Sequence, residues 1–290
     1  MNRVIIVILI YFSLLSCSTN KGYYKMIGET SYLNENTVQM ISQSSRLFTE
    51  AFQDFSLEQE YLIGRQVAAN ILNNYKLQNS NDVVNYLNLI CGAIVANSPM
   101  PYIFDGYHVA IIGTKNDINL FSTPGGHIFV TEGILNCINS EDELASIMAY
   151  GIATIQLQQG IKSIRTFRTT QSLMKTSMPT IISSENEIEK SHERELIIVP
   201  EIMIRDIIHN QVLEADSFAI SLLLNAGYNI NAYLDVISNI EKAYEDIELT
   251  YYPSFETRYK NIENIIMKSE TKINDTSEFR IDRFKRIFNR

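Results

Sequence analysis

Histidines are the residues of this sequence best suited to hold a metal ion or to move a proton near neutral pH. The chain has four of them: His108, His127, His192 and His209. None has a second histidine four residues away, the spacing that places two imidazoles on one face of a helix. His209 lies five residues before Glu214, so these two side chains fall on different faces of a helix. The histidine spacing therefore does not by itself predict a metal site.

Two cysteines, Cys91 and Cys137, are further candidates for metal or redox chemistry. Each lies in an apolar stretch, and their separation is not the spacing of a metal site. Export of the chain would permit a disulfide between them, and two buried free thiols are the alternative.

The helices that must position these side chains are predicted from the apolar periodicity of the sequence. Ser56 is a helix N-cap signal, and Pro99 and Pro101 end the second helix. The segment after Ser140 is apolar almost all round, which is typical of a buried helix. Helices are predicted over 56–75, 81–97, 132–137, 141–159, 201–225, 231–245 and 255–268.

Three short segments between the helices have the alternation and the β-branched content of strands. They are residues 107–112, 118–122 and 127–131, and the turn signal Thr123-Pro124-Gly125-Gly126 precedes the third. A small sheet among many helices predicts an α+β fold that is mostly helical.

Five segments, taken in order along the chain, resemble a known protein family. They are 56–64 (SLEQEYLIG), 119–130 (NLFSTPGGHIFV), 140–150 (SEDELASIMAY), 214–219 (EADSFA) and 252–258 (YPSFETR). Together they resemble the HtpX/BepA-type, prenyl-protease-related metallopeptidases of the gluzincin clan. The resemblance implies a zincin-like fold, with the substrate cleft beside the strand 127–131 and its edge at Pro124, Gly125, Gly126 and His127.

The same resemblance identifies the positions of the zinc site. In an HExxH helix two histidines bind zinc and the intervening glutamate is the general base, while a glutamate on a later helix is the third ligand. The resemblance implies that these positions are Tyr150, Gly151, Thr154 and Glu214. A phenol, with a reference pKa of about 10, and a hydroxyl are poor neutral ligands. No zinc, no other cofactor and no catalytic residue are therefore expected.

Three neighbours of the zinc position also follow from the resemblance. Asp216 is retained beside Glu214, and Tyr252 stands where a histidine commonly precedes the proline. Arg258 would lie nearby, where it pairs with Glu214 or Asp216 or else is a solvated helix residue. Tyr150 and Tyr252 together could fill the space that zinc occupies in active members.

The resemblance and the lost ligands favour a catalytically inactive peptidase that binds a protein or peptide partner as an assembly factor. Two alternatives remain open. One is an active zinc metalloendopeptidase with atypical ligands, such as Glu214, Asp216 and a histidine brought in by a loop. The other is a purely structural lipoprotein without a ligand in the cleft.

The first seventeen residues resemble a bacterial lipoprotein signal peptide. Asn2 and Arg3 precede an uncharged apolar run over 4–15, which is too short to span a bilayer. The run ends at a lipobox-like Leu14-Leu15-Ser16-Cys17, which predicts cleavage before Cys17 and its acylation; an ordinary signal peptide is the alternative. We expect a lipid-anchored protein of the bacterial cell envelope, and Ser18 is compatible with sorting to the outer membrane, facing the periplasm.

Composition limits the remaining possibilities. The 290 residues are 46% hydrophobic, enough for a core, and the net charge of −9 argues against nucleic-acid binding. The predicted organisation is a tether and lead-in over 18–55, a peptidase-family domain over 56–270 and a C-terminal tail over 271–290, whose arginines are assigned to a solvated helix end. The charged segment 183–195 is predicted to be an exposed loop or lid.

Overall fold

The computed structural model describes residues 55–78, 81–116, 118–166, 208–243, 252–269 and 278–288. The lipobox Cys17, the segment 183–195 and His192 lie outside the described residues. The described residues all fall within one compact unit. Among them, none of the helices combines the length and the apolar character needed to cross a bilayer.

The first helix, α1, spans Leu57–Asn74 and begins as the sequence predicts. The Oγ atom of Ser56 accepts a hydrogen bond from the Gln59 backbone N–H at 3.2 Å, and Gln59 Oε1 accepts one from the Ser56 N–H at 2.9 Å. This capping box satisfies two of the backbone donors that the first turn of a helix leaves unpaired.

The other elements follow in chain order. The strands are β1 His108–Ile112, β2 Leu120–Ser122 and β3 His127–Thr131. The helices are α2 Asn81–Ala96, α3 Glu132–Asn136, α4 Glu141–Gln156, α5 over the described residues 159–166, α6 over the described residues 208–225, α7 Ala232–Ala243, α8 Phe255–Lys268 and α9 Glu278–Phe288. The predicted class, mostly helical α+β, is confirmed.

The sheet has the strand order β1, β3, β2. β3 pairs in parallel with β1 and antiparallel with β2, so it is the central strand. Both edges of β3 are taken by neighbouring strands, so neither edge is open to pair with a further chain; the predicted cleft beside β3 stays a prediction. β2 is the outer strand on the side where α4 packs.

Helix α4 is the centre of the core, as its apolar sequence predicts. All of its residues are buried except Tyr150, Thr154 and Gln156. It packs against α2 and α7 and lies against β2. The helix ends at Gln156 rather than at the predicted Gln159, because Gln158 adopts a left-handed backbone conformation (φ 53°) that an α-helix cannot contain.

The acidic first turn of α4 is buried and paired with arginines from the C-terminus. Glu141 is 1% exposed and accepts hydrogen bonds from the Arg283 guanidinium and from the Tyr86 hydroxyl. Asp142 is fully buried and accepts one from Arg280 Nη1 at 2.9 Å. The helix dipole favours carboxylates in the first turn of a helix, but this local effect does not explain why they are buried.

Helix α9 corrects the prediction of a solvated C-terminal tail over 271–290. Its Phe284 is 3% exposed and belongs to the main hydrophobic core, and the helix contacts α2 and α4. Arg280 and Arg283 lie on this helix. α9 is therefore packed onto the domain through Phe284, while most of its other residues are exposed.

We expect the substitution Phe284→Ala to lower the free energy of unfolding by about 3 kcal/mol, since it leaves a cavity where a buried ring packs. Phe279 lies on the same helix and is 83% exposed, so Phe279→Ala is the matched control and should cost under about 0.5 kcal/mol. Urea unfolding followed by circular dichroism measures both. Equal losses from the two variants would contradict the assignment of α9 to the core.

Candidate functional site

The last two turns of α4 carry the three positions that correspond to an HExxH motif. Tyr150 and Thr154 are four residues apart, share one helix face and line the same cavity. The Thr154 hydroxyl donates to the Gly151 carbonyl at 2.8 Å, so its proton is used within the helix. This face therefore offers a phenol and an already bonded hydroxyl in place of two imidazoles.

Gly151 lies where α4 approaches the sheet most closely. A Cβ atom at this position would lie 3.1 Å from Ile128 Cγ2 and 3.3 Å from Ser122 Oγ, which is closer than ordinary van der Waals contact. The glycine is therefore explained by tight packing of α4 against β2 and β3. It has no side chain that could act as a general base.

A buried ion pair stands beside this helix face. Asp216, on α6, is 0% exposed and accepts hydrogen bonds from Arg258 Nε at 3.0 Å and Arg258 Nη2 at 2.7 Å. The Tyr233 hydroxyl donates to the same carboxylate at 2.7 Å. Between the two partners left open by the sequence, Glu214 and Asp216, Arg258 pairs with Asp216.

Arg258 also connects this pair to α4. Its guanidinium carbon lies 5.3 Å from the centre of the Tyr150 ring, within the range of a cation–π contact. Burial lowers the pKa of Arg258, but the charge and hydrogen bonds of Asp216 outweigh this effect and raise the pKa above its usual value. Burial also raises the pKa of the Tyr150 and Tyr233 phenols, so both remain protonated at neutral pH.

Glu214, the retained third-ligand position, faces a different neighbour. Its Oε2 atom lies 3.6 Å from Lys162 Nζ on α5, and both side chains are 47% exposed. It does not line the cavity that contains Tyr150 and Thr154. Within the described parts of the chain, no three His, Cys, Asp or Glu side chains converge as a metal site would require.

The cavity has a volume of about 460 Å³ and is lined mainly by apolar side chains. Its lining includes residues of β2 and the following turn, and residues of α7 and α8. Of the predicted edge residues, Pro124 and Gly125 line it, whereas Gly126 and His127 do not. Tyr252 lines the cavity but is 54% exposed, so the predicted plug of Tyr150 and Tyr252 leaves the cavity open.

A loop between α2 and β1, which the sequence did not predict as part of the site, forms part of the cavity rim. Met100, Ile103 and Phe104 line the cavity, and Phe104 lies with its ring centre 5.0 Å from that of Tyr61 on α1. The signal available in the sequence was an apolar run following Pro99 and Pro101, where side chains lie outside any regular element.

His127 lies in a separate aromatic cluster beyond the turn. Its ring centre is 6.3 Å from that of Tyr61 and 6.0 Å from that of His108. Burial lowers the pKa of His127, and the neighbouring His108 and Arg65 lower it further, while Asp105 opposes them. His127 is therefore a packing residue that is favoured in its neutral form.

The fold is that of a mostly helical α+β protein, consistent with a zincin-like architecture. The model of peptidase family M48 matches residues 85–266, more than half of the chain. The chain therefore belongs to peptidase family M48. No curated protein matches the chain.

The substitution Asp216→Asn should lower the free energy of unfolding by about 3 kcal/mol, because it leaves the buried Arg258 without its counter-charge. Glu214→Gln is the matched control on the same helix. Its exposed pair with Lys162 should contribute no more than about 0.5 kcal/mol. Urea unfolding of the two variants gives the comparison, and similar losses would mean that Asp216 does not anchor the site.

The lowered pKa of His127 makes stability depend on pH. The unfolded state binds the His127 proton more readily than the folded state. The contribution of His127 to stability is therefore fully present above the unfolded pKa of about 6.5 and is lost as pH falls toward the lower folded pKa. Between pH 7.5 and pH 5.5, the thermal unfolding temperature should fall less for His127→Gln than for the wild type. An identical loss would exclude His127 as the source.

Proposed function

We propose that this chain is a lipid-anchored protein of the bacterial cell envelope whose M48-family domain is not a working peptidase. It binds a peptide or protein partner in the retained cleft and acts as a binding or assembly factor. The observation that carries the proposal is the joint replacement of both zinc imidazoles and the general base at Tyr150, Thr154 and Gly151.

The side chains at the zinc position do not fit a zinc ion. Zinc requires neutral imidazoles, thiolates or carboxylates as ligands. The raised pKa of Tyr150 keeps its phenol protonated. The Thr154 hydroxyl already donates a hydrogen bond to the Gly151 carbonyl oxygen. Glu214 is turned toward Lys162, so a single carboxylate would have to hold the ion without a second strong ligand. We accordingly propose that the protein carries no zinc or other cofactor.

The neighbouring carboxylate offers no substitute. Asp216 is 0% exposed and is already bonded to Arg258 and Tyr233. Of the histidines in the described ranges, His108 and His127 belong to the cluster around Tyr61. These contacts weigh against the active enzyme with atypical ligands.

The cavity supports binding rather than a purely structural role. An open space of about 460 Å³ with mainly apolar walls and a few polar groups has the character of a ligand site. A structural protein without a ligand has no reason to keep it open, since filled cores are more stable than cavities. Attachment through Cys17 would place this cleft close to a membrane surface.

Zinc stoichiometry of the full-length protein, purified in detergent without chelators, tests the loss of the metal site. Elemental mass spectrometry should give a value near zero zinc per chain, because the donor set lacks two of its three ligands. A value near one that disappears in Glu214→Ala would refute the proposal and would make peptidase assays the next step. A value near one that persists in that variant would place the metal elsewhere in the chain.

A further inference from the structure

We infer that the cleft recognises the free C-terminal carboxylate of its peptide, held by Arg258 and by the hydroxyls of Tyr150 and Tyr252. The inference rests on the proposed peptide-binding function and specifies its ligand. All three side chains line the same cavity. The position that holds a cation in a zinc peptidase is here occupied by hydrogen-bond donors.

Arg258 keeps donor capacity for a ligand. Its Nε and Nη2 atoms bind Asp216, while Nη1 makes no hydrogen bond to any residue in the described ranges. The side chain is 17% exposed and reaches the cavity. Hydrogen bonds from a guanidinium to a carboxylate are charge-assisted and are about twice as strong as neutral ones.

The two tyrosines supply further donors. Within the part of the chain that is described, neither the Tyr150 nor the Tyr252 hydroxyl has a hydrogen-bond partner. The raised pKa of Tyr150 keeps its phenol protonated, so it can donate to an anion. Thr154 is not counted among these donors, because its hydroxyl already donates a hydrogen bond to the Gly151 carbonyl. The three donor side chains thus come to one cavity from α4, from α8 and from the segment that precedes α8.

The surrounding charges permit an anion. Among the described residues that line the cavity, Glu60 is the one carboxylate, and it accepts a hydrogen bond from Gln158 at 2.9 Å. Glu214 lies outside the lining, beside Lys162. Because Asp216 balances the charge of Arg258, the affinity for a carboxylate comes from directed hydrogen bonds more than from net charge.

A terminal carboxylate fits this position better than an acidic side chain. In a zinc peptidase the metal polarises a main-chain carbonyl, so this point of the cleft lies on the track of the peptide backbone. The main-chain group of a peptide that carries negative charge is its C-terminus. Side chains of an extended peptide alternate away from that track, and the apolar walls formed by Leu120, Ile237 and Ile240 suit the residues before the terminus.

The test uses the full-length protein in detergent micelles and an array of random decapeptides, each made as a free acid and as a C-terminal amide. Fluorescence anisotropy with the strongest binder should show the acid binding about tenfold more tightly than the amide. Tyr150→Phe/Tyr252→Phe removes two hydroxyls without removing the rings. It should weaken binding of the acid about tenfold and leave binding of the amide unchanged.

Tyr102→Phe is the matched control, because Tyr102 is 90% exposed and does not line the cavity. It should leave both affinities unchanged. Equal binding of acid and amide, or equal weakening of both by the double variant, would overturn the carboxylate site while the peptide-binding function stands. A preference for internal Asp or Glu in amidated peptides would also overturn it. Absence of binding by either peptide form would overturn the proposed function and this inference with it.

Discussion

The buried carboxylate of Asp216 is the interaction on which the arrangement of the site depends. It joins α6 to α7 through Tyr233 and to α8 through Arg258, and Arg258 in turn stacks on Tyr150 of α4. A buried charge is stable only when its hydrogen bonds and counter-charge are in place. One buried side chain therefore links four helices around the cleft, directly or through Arg258.

Buried carboxylates paired with arginines are also found at the opposite end of α4. Glu141 and Asp142 are buried in its first turn, and Arg283 and Arg280 of α9 supply their counter-charges. Between these ends the helix is packed by apolar side chains on nearly all sides. α4 is thus held by an ion-pair network at each end and by hydrophobic burial in the middle, so its exposed face can change residue type without loss of the scaffold.

In this member of peptidase family M48, different residues of α4 pack the scaffold and face the cavity. Tyr150 and Thr154 are the partly exposed residues in the part of α4 that faces the cavity, and the Tyr150 ring also packs against the edge of the core. Gly151, by contrast, is constrained by the approach of β2 and β3. The helix is therefore constrained by packing at Gly151 and less constrained at the two positions that face the cavity.

The sequence by itself determined the helical periodicity, the capped start of α1, the three strands and the order of the family motifs. These features depend on neighbours within a few residues or on an ordered set of motifs. Only the tertiary structure decided that Arg258 pairs with Asp216, that β2 lines the cavity, and that α9 packs against the core. The partners concerned are far apart in the chain: Arg280 and Arg283 lie 138 and 142 residues from their carboxylates. Periodicity predicts that a residue faces inward. The packing of the helices determines which distant charged side chain pairs with it.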